Sequence, residues 1–556
     1  MATMTALQTP LGIKFFNTLT TGDDYWAAWF DFDEYQYGDA GNDTMFSAGG
    51  NDWLAGGEGD DDIYGGGGDD NLFGGNDQDV LVGEGGYDQL YGEGGNDLLI
   101  SGYANPIMLI AAVSDAGFDV GGFMDGGTGN DVLRVDVAFT GLLTIDGGAD
   151  TDLIDYSHQI NAWSNGVPAS LPTNRLDLES LTGETPFGGS LVIARVENVL
   201  GSEYRDEFYG DDYANTLSGL SNNDRLEGRG GADVLDGGTG YDIAQYTSSA
   251  TGVDVDMALT TQKLMIVRNG AIISNGDAAG DRLVSIEELQ GSNFADILRG
   301  KGGGGLPSNE AFYGGRGDDI LEGHFGADVL DGGIGFDFAS YESSSAAVNV
   351  SIPRPGFASA QFGDAAGDTL FNIEGLIGSA YADTLIGNDD RNELRGNNGA
   401  DTLSGLGGND TIKGGAGIDS ITGGAGRDVL FGEAGADIFM YFSVQDSFGT
   451  FNQRDLVQDF TRDVVTLTGI IAGDTIDFSA IDANQRTGST GNQDFNFIGS
   501  TAFSAAGQVR VTSSVDANGR TYSLVQAEVT GDNIADFSMS VYTTNNSLLG
   551  VSDFLL

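Results

Sequence analysis

An aspartate recurs every nine residues near the start of the chain, and each is followed two residues later by an apolar side chain. The seven aspartates are Asp43, Asp52, Asp61, Asp70, Asp79, Asp88 and Asp97, and their apolar partners are Met45, Leu54, Ile63, Leu72, Leu81, Leu90 and Leu99. Calcium takes about six to eight oxygen ligands in flexible geometry. A carboxylate together with the carbonyls of glycine-rich turns can supply them, because glycine enters positive-φ conformations freely. The spacing therefore predicts a calcium site at each turn.

The same pattern returns in three later blocks, so that twenty-four positions share it. These blocks contain Asp206, Asn215, Asp224, Asp233 and Asp242; then Asp296, Glu310, Asp319, Asp328 and Asp337; then Asp383, Asn392, Asp401, Asp410, Asp419, Asp428 and Asp437. We number the nonapeptide so that the aspartate is position 6 and the apolar residue is position 8. Asn215, Asn392 and Glu310 depart from aspartate, and we expect weak or absent calcium binding there.

We predict on the order of 15 to 20 bound calcium ions. The predicted metal ligands are Asp43, Asp52, Asp61, Asp70, Asp79, Asp88, Asp97, Asp131, Asp152, Asp224, Asp233, Asp242, Asp319, Asp328, Asp337, Asp401, Asp410, Asp419, Asp428 and Asp437. The alternative is that aspartate and glycine only form solvated turns. Carboxylates stacked at a strand spacing of about 4.8 Å would then repel one another without neutralisation, which favours the calcium interpretation.

The repeat resembles the nonapeptide G-G-x-G-x-D-x-U-x of RTX proteins. The chain is similar, over most of its length, to this hemolysin-type family of bacterial proteins exported by type I secretion. The resemblance implies an all-β fold, a right-handed parallel β-roll or β-helix solenoid that forms around calcium ions, with the type I secretion machinery as a partner. Residues 438–556 look like the C-terminal part of serralysin-type proteins, and Asp553 to Leu556 are similar to the acidic-then-apolar ending that the exporter recognises.

The composition indicates a chain that cannot fold by burial alone. Its 84 acidic and 23 basic residues give a formal charge of −61, and 91 of its 556 residues are glycine. Such self-repulsion and backbone entropy oppose compaction, so we expect calcium binding to supply folding free energy. The acidity also argues against a nucleic-acid partner and against simple binding to anionic lipid.

Localisation signals are sparse. The chain has no cysteine, no basic-then-apolar leader is visible in residues 1–31, and its longest apolar run, residues 107–113, is too short to span a bilayer. We predict no transmembrane segment and a secreted, extracellular or cell-surface location.

A longer unit separates the repeat blocks. Three segments, Gly147 to Tyr156, Gly237 to Tyr246 and Gly332 to Tyr341, end in Asp-x-x-x-Tyr, and Glu197, Glu287 and Glu374 follow them at spacings of 90 and 87 residues. We predict one solenoid with interrupted coils and a β-rich C-terminal cap. Its parts are an aromatic N-terminal cap 1–37, rolls 38–100, 201–246, 296–341 and 378–440, an irregular extension 101–200, strand-rich insertions 247–295 and 342–377, and the C-terminal cap with the secretion signal, 441–556.

Signatures of catalysis are weak. The two histidines, His158 and His324, lie in no HExxH motif, and neither a GxSxG elbow nor a cysteine nucleophile exists. We predict no catalytic residues and no enzyme activity. Position 9 of the first run, which includes Phe46, Tyr64, Phe73 and Tyr91, forms either an exposed apolar row that could contact a partner or a row that packs against the aromatic N-terminal segment of the same chain.

The function we expect is that of a secreted calcium-binding structural protein, which self-assembles at the bacterial surface as a surface-layer or matrix component. A monomeric adhesin that binds cell-surface glycans and a calcium-dependent polysaccharide-acting enzyme remain open alternatives.

Overall fold

The computed structural model describes residues 3–9, 12–18, 21–27, 33–102, 121–135, 142–157, 173–184, 190–262, 265–268, 271–302, 308–352, 362–447, 453–462, 464–466, 469–471, 473–481, 494–545 and 547–556. Within these residues the chain forms strands, turns and three short 3-10 helices, Gly276–Ala278, Gly363–Ala365 and Val551–Asp553, and no α-helix. No helix of the described part is long and apolar enough to cross a membrane. Two compact units are present, residues 1–254 with 259–290 and residues 255–258 with 291–556.

The strands of the first unit are short and closely spaced. They are β1 Thr3–Thr9, β2 Gly12–Thr18, β3 Tyr25–Ala27, β4 Glu34–Ala40, β5 Thr44–Phe46, β6 Trp53–Glu58, β7 Asp62–Tyr64, β8 Asn71–Asn76, β9 Val80–Val82, β10 Tyr87–Gly94, β11 Leu98–Ile100, β12 Gly121–Asp125, β13 Val132–Arg134, β14 Leu142–Asp146, β15 Leu153–Asp155, β16 Thr173–Asp177, β17 Thr182–Glu184, β18 Ser190–Ala194, β19 Asn198–Leu200, β20 Arg205–Tyr209, β21 Thr216–Ser218, β22 Arg225–Glu227, β23 Val234–Asp236 and β24 Ile243–Gln245. After β25 Asp254–Asp256, at the unit boundary, come β26 Met265–Arg268, β27 Ala271–Ser274, β28 Arg282–Val284 and β29 Glu288–Gln290.

The second unit contains the remaining strands. They are β30 Ile297–Arg299, β31 Ala311–Arg316, β32 Ile320–Glu322, β33 Val329–Ile334, β34 Phe338–Ser340, β35 Asn349–Ser351, β36 Thr369–Phe371, β37 Gly375–Ile377, β38 Thr384–Ile386, β39 Glu393–Asn398, β40 Thr402–Gly408, β41 Thr411–Gly417, β42 Ser420–Gly426, β43 Val429–Gly435, β44 Ile438–Met440, β45 Leu456–Phe460, β46 Val464–Thr466, β47 Gly469–Ile471, β48 Thr475–Asp477, β49 Asn496–Phe497, β50 Gln508–Val515, β51 Thr521–Glu528, β52 Phe537–Thr543 and β53 Phe554–Leu555.

Each coil of the roll consists of two nonapeptides. In the first unit β4, β6, β8 and β10 pair in parallel on one side, while β5, β7, β9 and β11 pair in parallel on the other. The register pairs Met45 with Ile63 and Leu54 with Leu72, so residues 18 apart lie above one another. In the second unit β39, β41 and β43 form one stack and β38, β40 and β42 the other. The fold is an all-β parallel β-roll solenoid, as the resemblance implied.

The nine-residue period places the same apolar position of each repeat in the core. Position 8 points inward in every coil, and Met45, Leu54, Ile63, Leu72 and Leu81 are each 0% exposed. Because position 8 of one coil lies directly on position 8 of the next, these side chains form continuous apolar columns between the two stacks. Burying such side chains contributes roughly 1.5–3 kcal/mol each, against the large entropy cost of ordering glycine-rich turns.

The end of the second unit replaces coils by an antiparallel meander. β50, β51 and β52 pair antiparallel, and β52 joins the roll in parallel with β45. Buried aromatic rings fill the space beneath it: the ring centroid of Phe537 lies 5.0 Å from that of Tyr441 and 5.2 Å from that of Phe478. The C-terminal region is therefore β-rich, with a core of its own.

The apolar row at position 9 is not exposed along its length. Ala55, Val82 and Ile100 are 7%, 0% and 2% exposed. The aromatic members cover one another, because Phe46 stacks on Tyr64 with centroids 4.4 Å apart. Tyr25 of the N-terminal segment also lies against the row, with its ring centroid 5.8 Å from that of Phe46. The row is thus largely covered by side chains of the same chain, which favours the intrachain alternative over an open contact surface. Three residues of the aromatic N-terminal segment, Trp29, Phe30 and Phe32, lie outside the described residues.

Candidate calcium sites

The position-6 carboxylates form columns along the roll. The backbone N–H of Asp43 donates to Oδ1 of Asp61 at 2.7 Å, the N–H of Asp61 to Oδ1 of Asp79 at 2.8 Å, and that of Asp79 to Oδ1 of Asp97 at 2.9 Å. A second column runs through the other turns, where Asp52 donates to Asp70 and Asp70 to Asp88. Each carboxylate is thereby fixed by the coil before it.

The second oxygen of the position-6 carboxylate, Oδ2, shows whether a turn can bind calcium. In nineteen predicted ligands Oδ2 is buried and accepts no hydrogen bond from any described residue. They are Asp43, Asp61, Asp70, Asp79, Asp88, Asp97, Asp131, Asp152, Asp224, Asp233, Asp242, Asp319, Asp328, Asp337, Asp401, Asp410, Asp419, Asp428 and Asp437. Leaving a buried charged oxygen unpaired costs several kcal/mol, so native proteins pair such atoms with donors or with cations. We call a turn with this free Oδ2 an open turn.

The glycine at position 1 shows what faces that oxygen. A Cβ built on Gly396 would lie 2.4 Å from Oδ2 of Asp401 and 2.4 Å from the carbonyl oxygen of Gly414 on the next coil. At Gly92 the corresponding distances are 2.5 Å to Oδ2 of Asp97 and 2.4 Å to the carbonyl oxygen of Gly126. Two oxygens of adjacent coils thus border one small space that only glycine leaves empty.

This donor set fits calcium. Carboxylate and carbonyl oxygens are the ligands that a hard cation prefers, and calcium tolerates the irregular geometry that turns provide. Among the residues that the structure describes, no three acidic, histidine or cysteine side chains converge on one point. An ion at an open turn would therefore be held by the position-6 carboxylate together with backbone carbonyls of neighbouring coils.

Burial changes the acidity of the columns. Desolvation raises the pKa of Asp61 to about 6, that of Asp79 to about 8 and that of Asp70 to about 9. The donated backbone N–H opposes this rise and neighbouring carboxylates add to it. In the second unit burial likewise raises the pKa of Asp410 to about 8. Without a cation, the carboxyl groups of Asp70, Asp79 and Asp410 would be mostly protonated at neutral pH, whereas a bound cation would favour their ionised form.

An outer ladder, which the sequence analysis missed, lies beside the columns. At position 5 the N–H of Asp60 donates to Oδ1 of Asn42 at 3.2 Å, and the N–H of Gln78 donates to Oδ1 of Asp60 at 3.1 Å. The same contact joins Arg427 to Asn409 in the fourth block. The signal was the Asn-Asp and Asp-Asp dipeptides at positions 5 and 6. These side chains tie the turns together from the solvent side.

The columns also contain acidic residues outside the regular repeats. Asp281, Asp368, Asp455 and Asp474 accept the N–H of Asp233, Asp328, Asp428 and Asp437 at 2.9–3.0 Å. All four precede an apolar residue by two positions, which is the signal that the irregular spacing obscured. Glu197, Glu287 and Glu374 end columns in the same way by accepting the N–H of Asp152, Asp242 and Asp337.

A buried tyrosine caps two of these additional aspartates. The hydroxyl of Tyr246 donates to Oδ2 of Asp281 at 3.2 Å, and that of Tyr341 donates to Oδ2 of Asp368 at 3.1 Å. Both tyrosines are fully buried, and burial beside the carboxylate holds their pKa well above the ordinary value. Two of the three Asp-x-x-x-Tyr segments therefore supply a hydroxyl where other turns leave the oxygen free.

The histidines are not gathered into a reactive site in the described residues. His324 occupies position 2 of its repeat with φ of 63°, and its Nδ1 lies 2.8 Å from Oγ of Ser343, which also donates to Glu322. Position 2 has a positive φ in the other open turns as well, so the conformation of His324 belongs to the turn. His158 lies outside the described residues.

A comparison with protein families agrees with this geometry. The model of the RTX calcium-binding nonapeptide repeat (4 copies) matches residues 37–72, 73–102, 209–244, 305–339, 377–412 and 404–439. No curated protein matches the chain. Among solved structures, the chain is similar to the AlgE6R3 subunit of the Azotobacter vinelandii mannuronan C5-epimerase, with 23% identity over 32% of this chain and 78% of that one, TM-score 0.16. It is also similar to the AlgE6R2 subunit of that enzyme, with 24% identity over 32% of this chain and 90% of that one, TM-score 0.15.

Proposed function

Because the chain carries RTX calcium-binding nonapeptide repeats in several copies, we propose that it is a secreted structural protein that folds when it binds calcium and then self-assembles at a bacterial surface, as a surface-layer or matrix component. Calcium is the cofactor, and the β-roll is the functional body. The predicted metal ligands act as its calcium-binding residues.

The observation that carries this proposal is the column of free carboxylate oxygens. Nineteen Oδ2 atoms are buried without a hydrogen bond from a described residue, and at turns such as those of Asp97 and Asp401 a glycine carbonyl of the next coil faces the same space. A compact roll without cations would leave each of these oxygens desolvated and uncompensated. Folding and calcium binding are therefore one coupled process.

The large negative charge of the chain also favours folding that depends on calcium. Nineteen divalent ions would cancel roughly three-fifths of the formal charge of −61. Without them, self-repulsion and the entropy of 91 glycines favour an expanded chain. Such a chain suits export in the unfolded state by the type I machinery, which is the route that the family resemblance implies.

The calcium concentration outside cells matches the affinity that we expect for these sites. Extracellular calcium modules bind with dissociation constants of about 10⁻⁴–10⁻³ M, which keeps them empty where calcium is scarce and filled outside the cell. The chain has no cysteine and hence no disulfide to stabilise it in an oxidising environment. Calcium provides that stabilisation.

Self-assembly is supported by the remaining surface chemistry. Exposed aromatic side chains, such as Tyr25 and Tyr213 at 73% and Phe362 at 67%, offer apolar contacts. Many carboxylates outside the columns remain on the surface, and calcium can bridge acidic groups of two copies as well as coils of one copy. Calcium would then act twice, first in folding and then in association.

The test is a calcium titration of the purified chain from EGTA to about 10 mM calcium, a range that covers extracellular-type sites. Circular dichroism and light scattering are recorded together at each calcium concentration. We expect conversion from disorder to β structure, and then a reversible rise in scattering. Folding without growth contradicts self-assembly and directs attention to glycan binding or turnover by a monomer. A chain that is folded in EGTA contradicts the proposal as a whole.

A further inference from the structure

Six turns of the repeat pattern differ from the nineteen open turns. Their position-6 side chain has no free buried carboxylate oxygen, because donors of the chain itself satisfy it. The six residues are Asp52, Asp206, Asn215, Asp296, Asp383 and Asn392. We call these closed turns.

In three closed turns a serine occupies position 2. Ser379 donates its backbone N–H to Oδ2 of Asp383 at 2.6 Å, and its hydroxyl lies 2.8 Å from Oδ1 of the same carboxylate. The N–H groups of Ser202 and Ser292 reach their aspartates at 2.7 and 2.6 Å. The backbone N–H and the hydroxyl of one serine thus donate hydrogen bonds to the carboxylate that a calcium ion would need. In the first block the hydroxyl of Ser47 similarly donates to Oδ2 of Asp52.

In two closed turns the position-6 residue is asparagine. Oδ1 of Asn392 accepts the N–H of Asn388 at 2.7 Å, while its Nδ2 donates to the carbonyl oxygen of Glu374 at 3.1 Å. Asn215 repeats this arrangement with the N–H of Asp211 and the carbonyl of Glu197. The asparagine amide therefore donates a hydrogen bond to a backbone carbonyl of the preceding coil. The position-6 side chain then carries no negative charge and presents no free oxygen to a cation.

The backbone separates the two classes of turn without exception. Position 2 of each open turn has a φ between 62° and 127°, even where the residue is Leu220, Arg229 or Glu433. None of the position-2 residues of the six closed turns has a positive φ. In the five closed turns outside the first block, the N–H of position 2 donates to the position-6 side chain. The backbone conformation at position 2 therefore distinguishes the turns that present a free oxygen from those that close on themselves.

From this division we propose that the six closed turns bind no calcium and that each later repeat block begins on such a turn. Asp206 and Asn215 open the second block, Asp296 the third, and Asp383 and Asn392 the fourth. The inference rests on the proposed function, since it assigns calcium to the open turns alone. The closed turns hold the first coil of each later block by hydrogen bonds, and the calcium-dependent coils stack upon it.

Two matched substitutions test the assignment. Asp383→Asn alters a closed turn and Asp401→Asn the open turn 18 residues later, where Oδ1 accepts the N–H of Asp383 at 2.7 Å and Oδ2 is free. Calcium per chain is counted by equilibrium dialysis and elemental analysis at saturation. We expect Asp401→Asn to lose one ion relative to the unchanged chain and Asp383→Asn to lose none. Loss of an ion in folded Asp383→Asn overturns the inference.

A second variant, which converts a closed turn into an open one, tests the inference if Asp383→Asn does not fold. Asn388→Gly with Asn392→Asp restores a glycine at position 2 and a carboxylate at position 6, and we expect one additional ion per chain. An unchanged count in this folded variant overturns the inference. If the unchanged chain itself binds no calcium, the proposed function has failed instead, so the two failures are distinguishable.

Discussion

The backbone N–H of Asp401 donates to Oδ1 of Asp419 at 2.9 Å, and Oδ2 of that same carboxylate is buried without a hydrogen-bond partner among the described residues. One oxygen is thus fixed by the preceding coil while the other is left for a cation. Repeated along both stacks, this relationship would make calcium part of the core under the proposed function. The apolar columns bury side chains in any folded state, whereas the carboxylate columns would, under the proposed function, make the folded state depend on the ion.

Substitution of one column carboxylate should remove one ion. We expect Asp70→Asn to lose one calcium and, where calcium is present at about 100 times the dissociation constant, about 2.7 kcal/mol of unfolding free energy. The neighbouring change Asp69→Asn is the control, because the side chain of Asp69 accepts the N–H of Tyr87 through one oxygen, which an amide can replace. Urea denaturation in calcium measures both. Equal destabilisation by the two variants would contradict the assignment of Asp70.

A methyl group at position 1 should fill a calcium space. In Gly74→Ala the new Cβ would lie 2.4 Å from Oδ2 of Asp79, and overpacking of this kind costs about 1–3 kcal/mol before any ion is lost. Gly67→Ala is the control, since the nearest atom to its Cβ is 3.9 Å away. We expect a higher calcium midpoint in the folding titration for Gly74→Ala alone. Equal midpoints in the two variants would show that the space is not needed.

The tyrosine caps should contribute to stability independently of calcium. Tyr246→Phe removes the hydroxyl that donates to Asp281 and leaves a buried carboxylate oxygen unpaired, which costs about 1–3 kcal/mol. Tyr213→Phe, at a side chain that is 73% exposed, should change the unfolding free energy by less than about 0.5 kcal/mol. Thermal unfolding in saturating calcium measures the difference. A fully stable Tyr246→Phe would mean that another donor reaches Asp281.

Acid should partly replace calcium. Burial raises the pKa of Asp61 to about 6, that of Asp79 to about 8 and that of Asp70 to about 9, so the folded columns bind protons that the unfolded chain releases near pH 4. Their contribution to stability is fully present below pH 4 and is lost as the pH rises towards 6 to 9. We expect the chain in EGTA to gain β structure between pH 8 and pH 4. Constant circular dichroism across that range would contradict this linkage.

Much of the fold could be read from the sequence because the period of nine determines both the core and the columns. Position 8 is apolar in every coil and is buried in every described coil of the first run. Nineteen of the twenty predicted ligands have the free buried oxygen, and Asp52 is the exception because Ser47 caps it. That cap depends on a contact across the turn which the spacing alone does not reveal.

Other features could not be predicted because they depend on contacts between distant coils. Asp281 accepts the N–H of Asp233 although the two lie 48 positions apart, because the chain between β24 and β28 departs from the regular spacing of 18 and returns in register. The sequence left open whether the position-9 row is exposed or covered, and in the fold its aromatic rings cover one another by stacking along the axis. Neither the looped-out coil nor the ring stacking has a signature within one nonapeptide.

Hydrogen exchange measured by mass spectrometry, in EGTA and in about 10 mM calcium at neutral pH, tests the central claim most directly. The amides of Asp43, Asp61 and Asp79, which donate along one column, should exchange freely in EGTA and become protected together as calcium is added. Protection of these amides in EGTA, equal to that in calcium, would show that the roll folds without the ion and would contradict the account.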